Sequence, residues 1–250
     1  MNLLKHFSLI TSVIVATLFA MPSEARSQID GFNSLDGWTL QRTDTDTLPA
    51  VGQDFVDITS GFGQRRNIWF NTPQSIDQFS ASFTYSTTNG LSSQGISFII
   101  HDDSRGLDTV TTDTSTRGFG GIDRSLGVIF DTNSFRVAED GEIGSGSFDL
   151  DLINSFSGYN VNIDYLGGNL LSVSVNDGTN TASEDIFIGQ TIADAIGSGD
   201  AFIGFGAHNG TNTSTQTISN FRFNSVAVPE PSTAIVLAAV GIIGLVRRRR

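Results

Sequence analysis

The chain has 250 residues, 14 Lys+Arg against 26 Asp+Glu, and no cysteine, which excludes disulfide frameworks, Cys-based zinc sites and thiol catalysis. Charge is unevenly placed: between Ser27 and Val228 there are 8 arginines, no lysine and 24 acids, a net of −16. A segment that acidic is a poor partner for nucleic acid or an anionic membrane surface, whose binding is driven by Lys and Arg; calcium and neutral polar ligands remain open.

The N-terminus passes from Lys5 and His6 through an apolar stretch, Phe7 to Met21, to the small residues Ser23 and Ala25. That layout is a helical secretory signal peptide over residues 1–25, its apolar run being short for a membrane span. Residues 27–227 read as one domain. Trp38 and Trp69 sit among apolar neighbours, which points to core packing, with sugar stacking as the alternative. From Phe79 a period of two recurs. Phe79, Ala81, Phe83 and Tyr85 share one face of a strand, as do Ile96, Phe98 and Ile100. His101, Asp102 and Asp103 close the second strand as a turn or as ligands. Residues 106–121 form a long Gly/Thr-rich loop, of the kind that is functional or mobile. Leu126, Val128 and Phe130 alternate, and Ile129 makes that strand apolar on both faces, as a central strand is.

Val161, Ile163 and Tyr165 pair with Leu171, Val173 and Val175 through the Gly167-Gly168-Asn169 turn. A helical turn starting at Gln190 or Thr191 precedes strands at 202–207 and 218–223. The expected fold is all-β, a two-sheet antiparallel sandwich. Two candidate pairs remain weak. His101 and His208, the two histidines after the signal, lack an evident third partner. Asp149 and Asp151 share one strand face about 7 Å apart, the arrangement a glycoside hydrolase needs, although exposed acids on an outer face are commoner.

At the C-terminus Val228-Pro229-Glu230-Pro231-Ser232 precedes an apolar run, Thr233 to Val246, and then four arginines. This closely resembles the PEP-CTERM sorting signal of Gram-negative bacteria, over residues 228–250. The resemblance implies export across the inner membrane, which the C-terminal transmembrane segment engages only transiently. It also implies cleavage by an exosortase-type protease that recognises Pro229, Glu230 and Pro231, and a place on the cell surface or in the exopolysaccharide matrix.

The order of motifs in the middle is also familiar. Phe79–Tyr85, Gln94–His101, Gly118-Phe-Gly-Gly121, Ser125–Thr132, Tyr159–Tyr165, Leu170–Val175, Ala201–Gly210 and Ile218–Phe223 together resemble the legume-type (L-type) lectin domain of the concanavalin-like jelly roll. That family holds its sugar loops with calcium and, in plants, a transition metal. The resemblance places Gln94 where the family has an aspartate. An amide still donates and accepts but gives no charge-assisted bond. It places Gly120 and Gly121 in the backbone-donating loop and Asn209 in the last sugar-contacting loop. Ile129 replaces the Glu of the metal motif, so the transition-metal site is not expected. Asp131 is kept, and with Asn133, Asp140 and Glu142 it would supply calcium with oxygen ligands. The expected function is non-enzymatic: an exported lectin-like module that binds extracellular polysaccharide, supported by calcium. The alternatives are a non-binding structural component of the matrix and, with less support, a glycoside hydrolase.

Overall fold

Residues that alternate apolar and polar bury one face of a strand, and here sixteen such strands fall into two sheets. The computed structural model describes residues 26–32, 34–46, 50–88, 94–113, 116–131, 134–142, 148–149, 158–210 and 213–226. The strands are β1 (Arg26–Asp30), β2 (Trp38–Arg42), β3 (Val51–Gly52), β4 (Phe55–Thr59), β5 (Arg65–Phe70), β6 (Gln74–Ser75), β7 (Phe79–Thr87) and β8 (Gln94–His101). They continue with β9 (Ser125–Phe130), β10 (Ser134–Glu139), β11 (Phe148–Asp149), β12 (Tyr159–Tyr165), β13 (Leu170–Asn176), β14 (Thr181–Phe187), β15 (Asp200–Asn209) and β16 (Gln216–Val226). The first sheet runs β14-β13-β12-β7-β16-β4-β3, with β1 also on β16; the second runs β11-β10-β9-β8-β15-β5-β2, with β6 also on β15. Every pairing among the described residues is antiparallel. The all-β jelly-roll sandwich expected from the sequence is therefore the fold.

The sheets meet through their apolar faces. Phe83 of β7 packs edge-on against Phe205 of β15 at 5.0 Å and against Phe130 of β9 at 5.9 Å. All are nearly fully buried, and burying an aromatic of this size stabilises by roughly 1.5–3 kcal/mol. The hairpin between β12 and β13 turns at Gly167 and Gly168, both at positive φ, which glycine adopts without steric cost. The short helix α1 (Ile192–Ile196) starts where its N-cap hydroxyl is: Thr191 accepts from Asp194 N at 3.0 Å. Both tryptophans are packing residues. Trp38 is 7% exposed among Phe32, Phe70 and Phe221, and Trp69 is fully buried.

One feature of the second sheet departs from a simple sandwich. Trp69, Ile99 and Ile129 point away from the main core into a smaller cluster with Phe119, Ile122 and Ala138. Residues 102–123 form its roof. Arg26–Ala227 is one compact unit, and its outer face is where the chemistry gathers.

Candidate functional site

Residues 102–113 leave β8 at its His101 end and run toward its Gln94 end, and residues 116–123 return to enter β9. Three hydrogen bonds trace the outward run along β5. Trp69 Nε1 donates to Thr109 O at 2.7 Å, Thr111 N donates to Asn67 Oδ1 at 2.9 Å, and Arg65 Nη1 donates to Thr112 O at 3.0 Å. On the return, Ser97 Oγ donates to Arg117 O at 3.0 Å and Asn67 Nδ2 to Gly118 O at 2.8 Å. Close approach explains two glycines: a Cβ on Gly206 would stand 2.1 Å from Gly118 O, and one on Gly118 2.3 Å from Ala207 N. Gly118 also has φ +88°, where a Cβ is disfavoured.

At the His101 end the roof is tied to Asp103. Its carboxylate accepts from Arg105 N and Nε (both 2.9 Å), Arg105 Nη2 (2.5 Å) and Asp123 N (2.9 Å). Burial alone would raise its pKa; the Arg105 guanidinium and the two backbone donors outweigh it and hold the carboxyl at about 2. Arg105 also reaches Gly121 O at 2.6 Å. His101 lies beside this knot with its ring 4.3 Å from that of Trp69. Its Nδ1 accepts from Asp103 N at 3.2 Å. Burial pushes its pKa down to about 4, against the opposing pull of Asp103, so the imidazole is neutral at pH 7.

At the Gln94 end a row of basic groups crosses the strands. His208 of β15 stands opposite Arg65 of β5 on one side and Gly95 of β8 on the other. Arg117 lies across Gly95, where a Cβ would be 2.7 Å from its Cδ. Arg117 Nε then donates to Asp131 Oδ1 at 2.6 Å, and Arg136 Nη2 reaches Asp131 Oδ2 at 3.2 Å. Arg117 holds φ +53°, an uncommon conformation for a residue with a side chain. His208 is 5% exposed; burial, then the cations of Arg65 and Arg117, lower its pKa, with Asp113 opposing. Its Nδ1, Arg65 Nε and Arg136 Nε are buried without a hydrogen-bond partner.

Several expected site residues lie elsewhere or are already engaged. Asp131 and the pair Asp140/Glu142 occupy opposite ends of the β9–β10 hairpin, since Phe130 pairs with Phe135 and Leu126 with Glu139. Five to six residues of strand, about 17–20 Å, separate them. Asp140 (φ +51°) and Gly141 (φ +72°) make a tight turn whose purpose is to reverse the chain, with Glu142 N bonded to Glu139 O. Asn133 lies outside the described residues. Of the expected calcium set, Asp131 and the pair Asp140/Glu142 do not converge, and Asp131 already has two guanidinium partners. Among the described residues no three His, Cys, Asp or Glu side chains form a group able to hold a metal ion.

The expected sugar set divides as well. A Cβ on Gly141 would strike Gly121 N at 2.6 Å, which places Gly121 at the His101 end, away from Gln94 and Asn209. Gly120 N is taken by Thr116 Oγ1 at 2.5 Å. Asn209 is fully buried on the core side. Its Nδ2 donates to Gly61 O and Ser214 O, and its Oδ1 accepts from Gln216 Nε2 at 2.7 Å, so it joins loops rather than facing a ligand. Gln94 begins β8 opposite Asn209; its side chain, like Asp151 and the motif Pro229–Pro231, lies outside the described part. Asp149 pairs opposite Ser134. A cleft of about 170 Å³ between Asp30, Asp36 and Trp38 has no exposed ring to stack a sugar.

Comparison with known proteins follows this geometry. Residues 227–250 match the model of the PEP-CTERM protein-sorting motif. No curated protein sequence matches the chain significantly. The fold is similar to that of the lectin UEA-II in complex with galactose, at 13% identity and TM-score 0.64, covering 82% of this chain and 99% of that one. A lectin from Bauhinia forficata in complex with GalNAc is similar at 15% identity and TM-score 0.60, covering 81% and 99%. Arcelin-5, a lectin-like defense protein from Phaseolus vulgaris, matches at 15% identity and TM-score 0.60, covering 82% and 99%. The chain is an all-β protein with the legume-lectin jelly roll and a C-terminal PEP-CTERM motif. That motif implies export through the sorting system of Gram-negative bacteria and processing by an exosortase-type enzyme. No helix among the described residues is long and apolar enough to cross a membrane; the apolar run Thr233–Val246 lies outside them.

Proposed function

We propose that the protein is an exported lectin-like module that binds carbohydrate at the cell surface or within the extracellular polysaccharide matrix. The observation that supports this most is the joint occurrence, in one chain, of a lectin sandwich over residues 26–227 and the sorting motif at 227–250. In this reading an N-terminal signal starts export, the protease removes the apolar tail at Pro229–Pro231, and the acidic domain is left outside the inner membrane. Gln94 offers a sugar hydroxyl both donor and acceptor.

Calcium does not fit the described residues. A hard cation takes six to eight oxygens, and Asp131 is neutralised by Arg117 and Arg136 while Asp140 and Glu142 stand at the far end of the hairpin. The roof over the second sheet is held instead by arginine–carboxylate bridges.

A second reading, a structural matrix component that binds no sugar, is favoured by the internal engagement of Asn209 and Gly120 N. Hydrolase chemistry has no assembled carboxylate pair among the described residues to support it. Affinity electrophoresis of the purified protein through gels containing a panel of bacterial polysaccharides separates the two main readings. The lectin reading predicts retardation in at least one gel, weakened by Gln94→Ala. Unretarded migration in all of them favours the structural role.

A further inference from the structure

Resting on the carbohydrate-binding reading, we propose that the row formed by Arg65, His208, Arg117 and Arg136 is a subsite for the carboxylates of an acidic, uronate-type polysaccharide. The argument begins with the arginines. Of the eight between Ser27 and Val228, Arg66, Arg105, Arg117, Arg124, Arg136 and Arg222 are held in ion pairs. Arg42 and Arg65 have no described ion pair; each has a guanidinium bond to a carbonyl, Asp46 O and Thr112 O respectively. Arg117 and Arg136 share the single carboxylate of Asp131. Three guanidiniums therefore stand with Asp131, Asp113 and Asp149, the last placed by register on the face of Arg136, an even local balance on a domain whose net charge is −16. Salt limits the reach of the surrounding acids to about 8 Å at physiological ionic strength, so an anion arriving at this row is governed mainly by its nearest groups.

Unmet hydrogen-bonding capacity points the same way. Arg65 Nε and Arg136 Nε are buried donors without acceptors, and the buried His208 Nδ1 has no partner. Buried polar atoms left unpaired are rare enough to need an explanation. A carboxylate matches the planar fork of arginine in two parallel bonds. His208, kept neutral by burial and by the Arg65 and Arg117 cations, with Asp113 the opposing acid, retains both a donor and an acceptor on its ring, which suits a sugar hydroxyl. The row crosses β5, β15, β8, β9 and β10. Four inter-strand steps span about 19 Å, the reach of an extended chain rather than one sugar ring. Phe62 argues for a saccharide over a bare anion. It is 65% exposed in the loop just before Arg65, a loop fixed to the end of β15 by Gly63 N donating to Gly210 O at 3.1 Å. An exposed aromatic beside hydrogen-bonding groups presents a stacking face with a polar neighbour.

The test is calorimetric titration of the purified protein with a galacturonate hexamer, a neutral glucose hexamer and hexaglutamate, at physiological salt. Variants are Arg65→Gln and Phe62→Ala, with thermal unfolding as the folding check. Phe62 is exposed, so its variant should melt like the parent, and Arg65→Gln, which loses the bond to Thr112 O, should melt within a few degrees of it. The expected result is uronate binding at least tenfold tighter than either control, weakened at least tenfold by Arg65→Gln and several-fold by Phe62→Ala. Equal binding of neutral and acidic hexamers, untouched by Arg65→Gln, overturns the acidic subsite and leaves the lectin reading standing. Hexaglutamate binding as tightly as the uronate overturns the saccharide assignment. Binding of neither saccharide removes both readings.

Discussion

The two ends of the second sheet's outer face use one device, an aspartate gripped by arginine, to different degrees of completion. At the His101 end Asp103 is 1% exposed as a side chain, and its two oxygens receive four N–H bonds from Arg105 and Asp123. At the Gln94 end Asp131 is 18% exposed and meets two arginines, each at a single contact, while neighbouring Nε donors and His208 Nδ1 go without partners. At the first end the carboxylate is satisfied and closes the roof, while His101 Nε2 beside it is buried without a partner. The second leaves Arg65 Nε, Arg136 Nε and His208 Nδ1 buried without a partner. One end of the roof thus reads as structure and the other as a surface open to a ligand.

The sharpest way to break that contrast is to remove each carboxylate. Asp103→Asn leaves Arg105 and a buried amide mismatched and should cost about 3 kcal/mol in urea unfolding. Asp131→Asn, at a partly solvated pair, should cost about 1 kcal/mol. Equal losses would erase the distinction. The pH profile reports mainly on the closed end. His101 has its pKa lowered from 6.5 to about 4, so the unfolded chain binds its proton first. The stability His101 contributes is present above pH 6.5 and is lost as pH falls toward 4, by at most about 3 kcal/mol. His208, also lowered, acts in the same direction. Asp103, held at about 2, contributes above pH 3.8 and loses its share only between about 3.8 and 2, so the windows separate. Unfolding in urea at pH 7.5 and 5 should reveal the loss; a flat profile would contradict a buried, neutral His101. Smaller still is the effect of lifting the roof. Gly206→Ala drives a methyl into Gly118 O and should cost about 2 kcal/mol, with a red shift of Trp69 emission as its cover loosens.

Much of the sandwich is legible in the alternation of β7, β8, β12, β13 and β15, because each buries one face against the opposite sheet. Ile129 signals a central strand for the same reason, and its second face is met by Phe119 and Ile122. β5 is hidden because it opens with Arg65-Arg66-Asn67, and polar residues there are buried by distant partners: Arg66 by Asp44 and Asn67 by Thr111 and Gly118. β14 is hidden because Glu184 and Asp185 are exposed on an edge strand. The site is less legible than the fold. Asp131 and Asn209 carry the chemistry of ligands, but which partner each meets, Arg117 and Gln216, depends on how the intervening loops fold, which no strand or turn spacing reveals. Asp140-Gly141 reads equally as a metal loop and as a turn, and the register of β10 on β9 decides for the turn.

We propose that arginine–carboxylate bridges rather than a metal hold the roof over the second sheet. Thermal unfolding of the purified protein in millimolar calcium and in EDTA tests it directly, because an ion bound to the native state alone must raise the midpoint. The account predicts superimposable transitions with and without calcium. A rise of several degrees in calcium that Asp131→Asn abolishes would contradict it and return Asp131 to the role of a metal ligand.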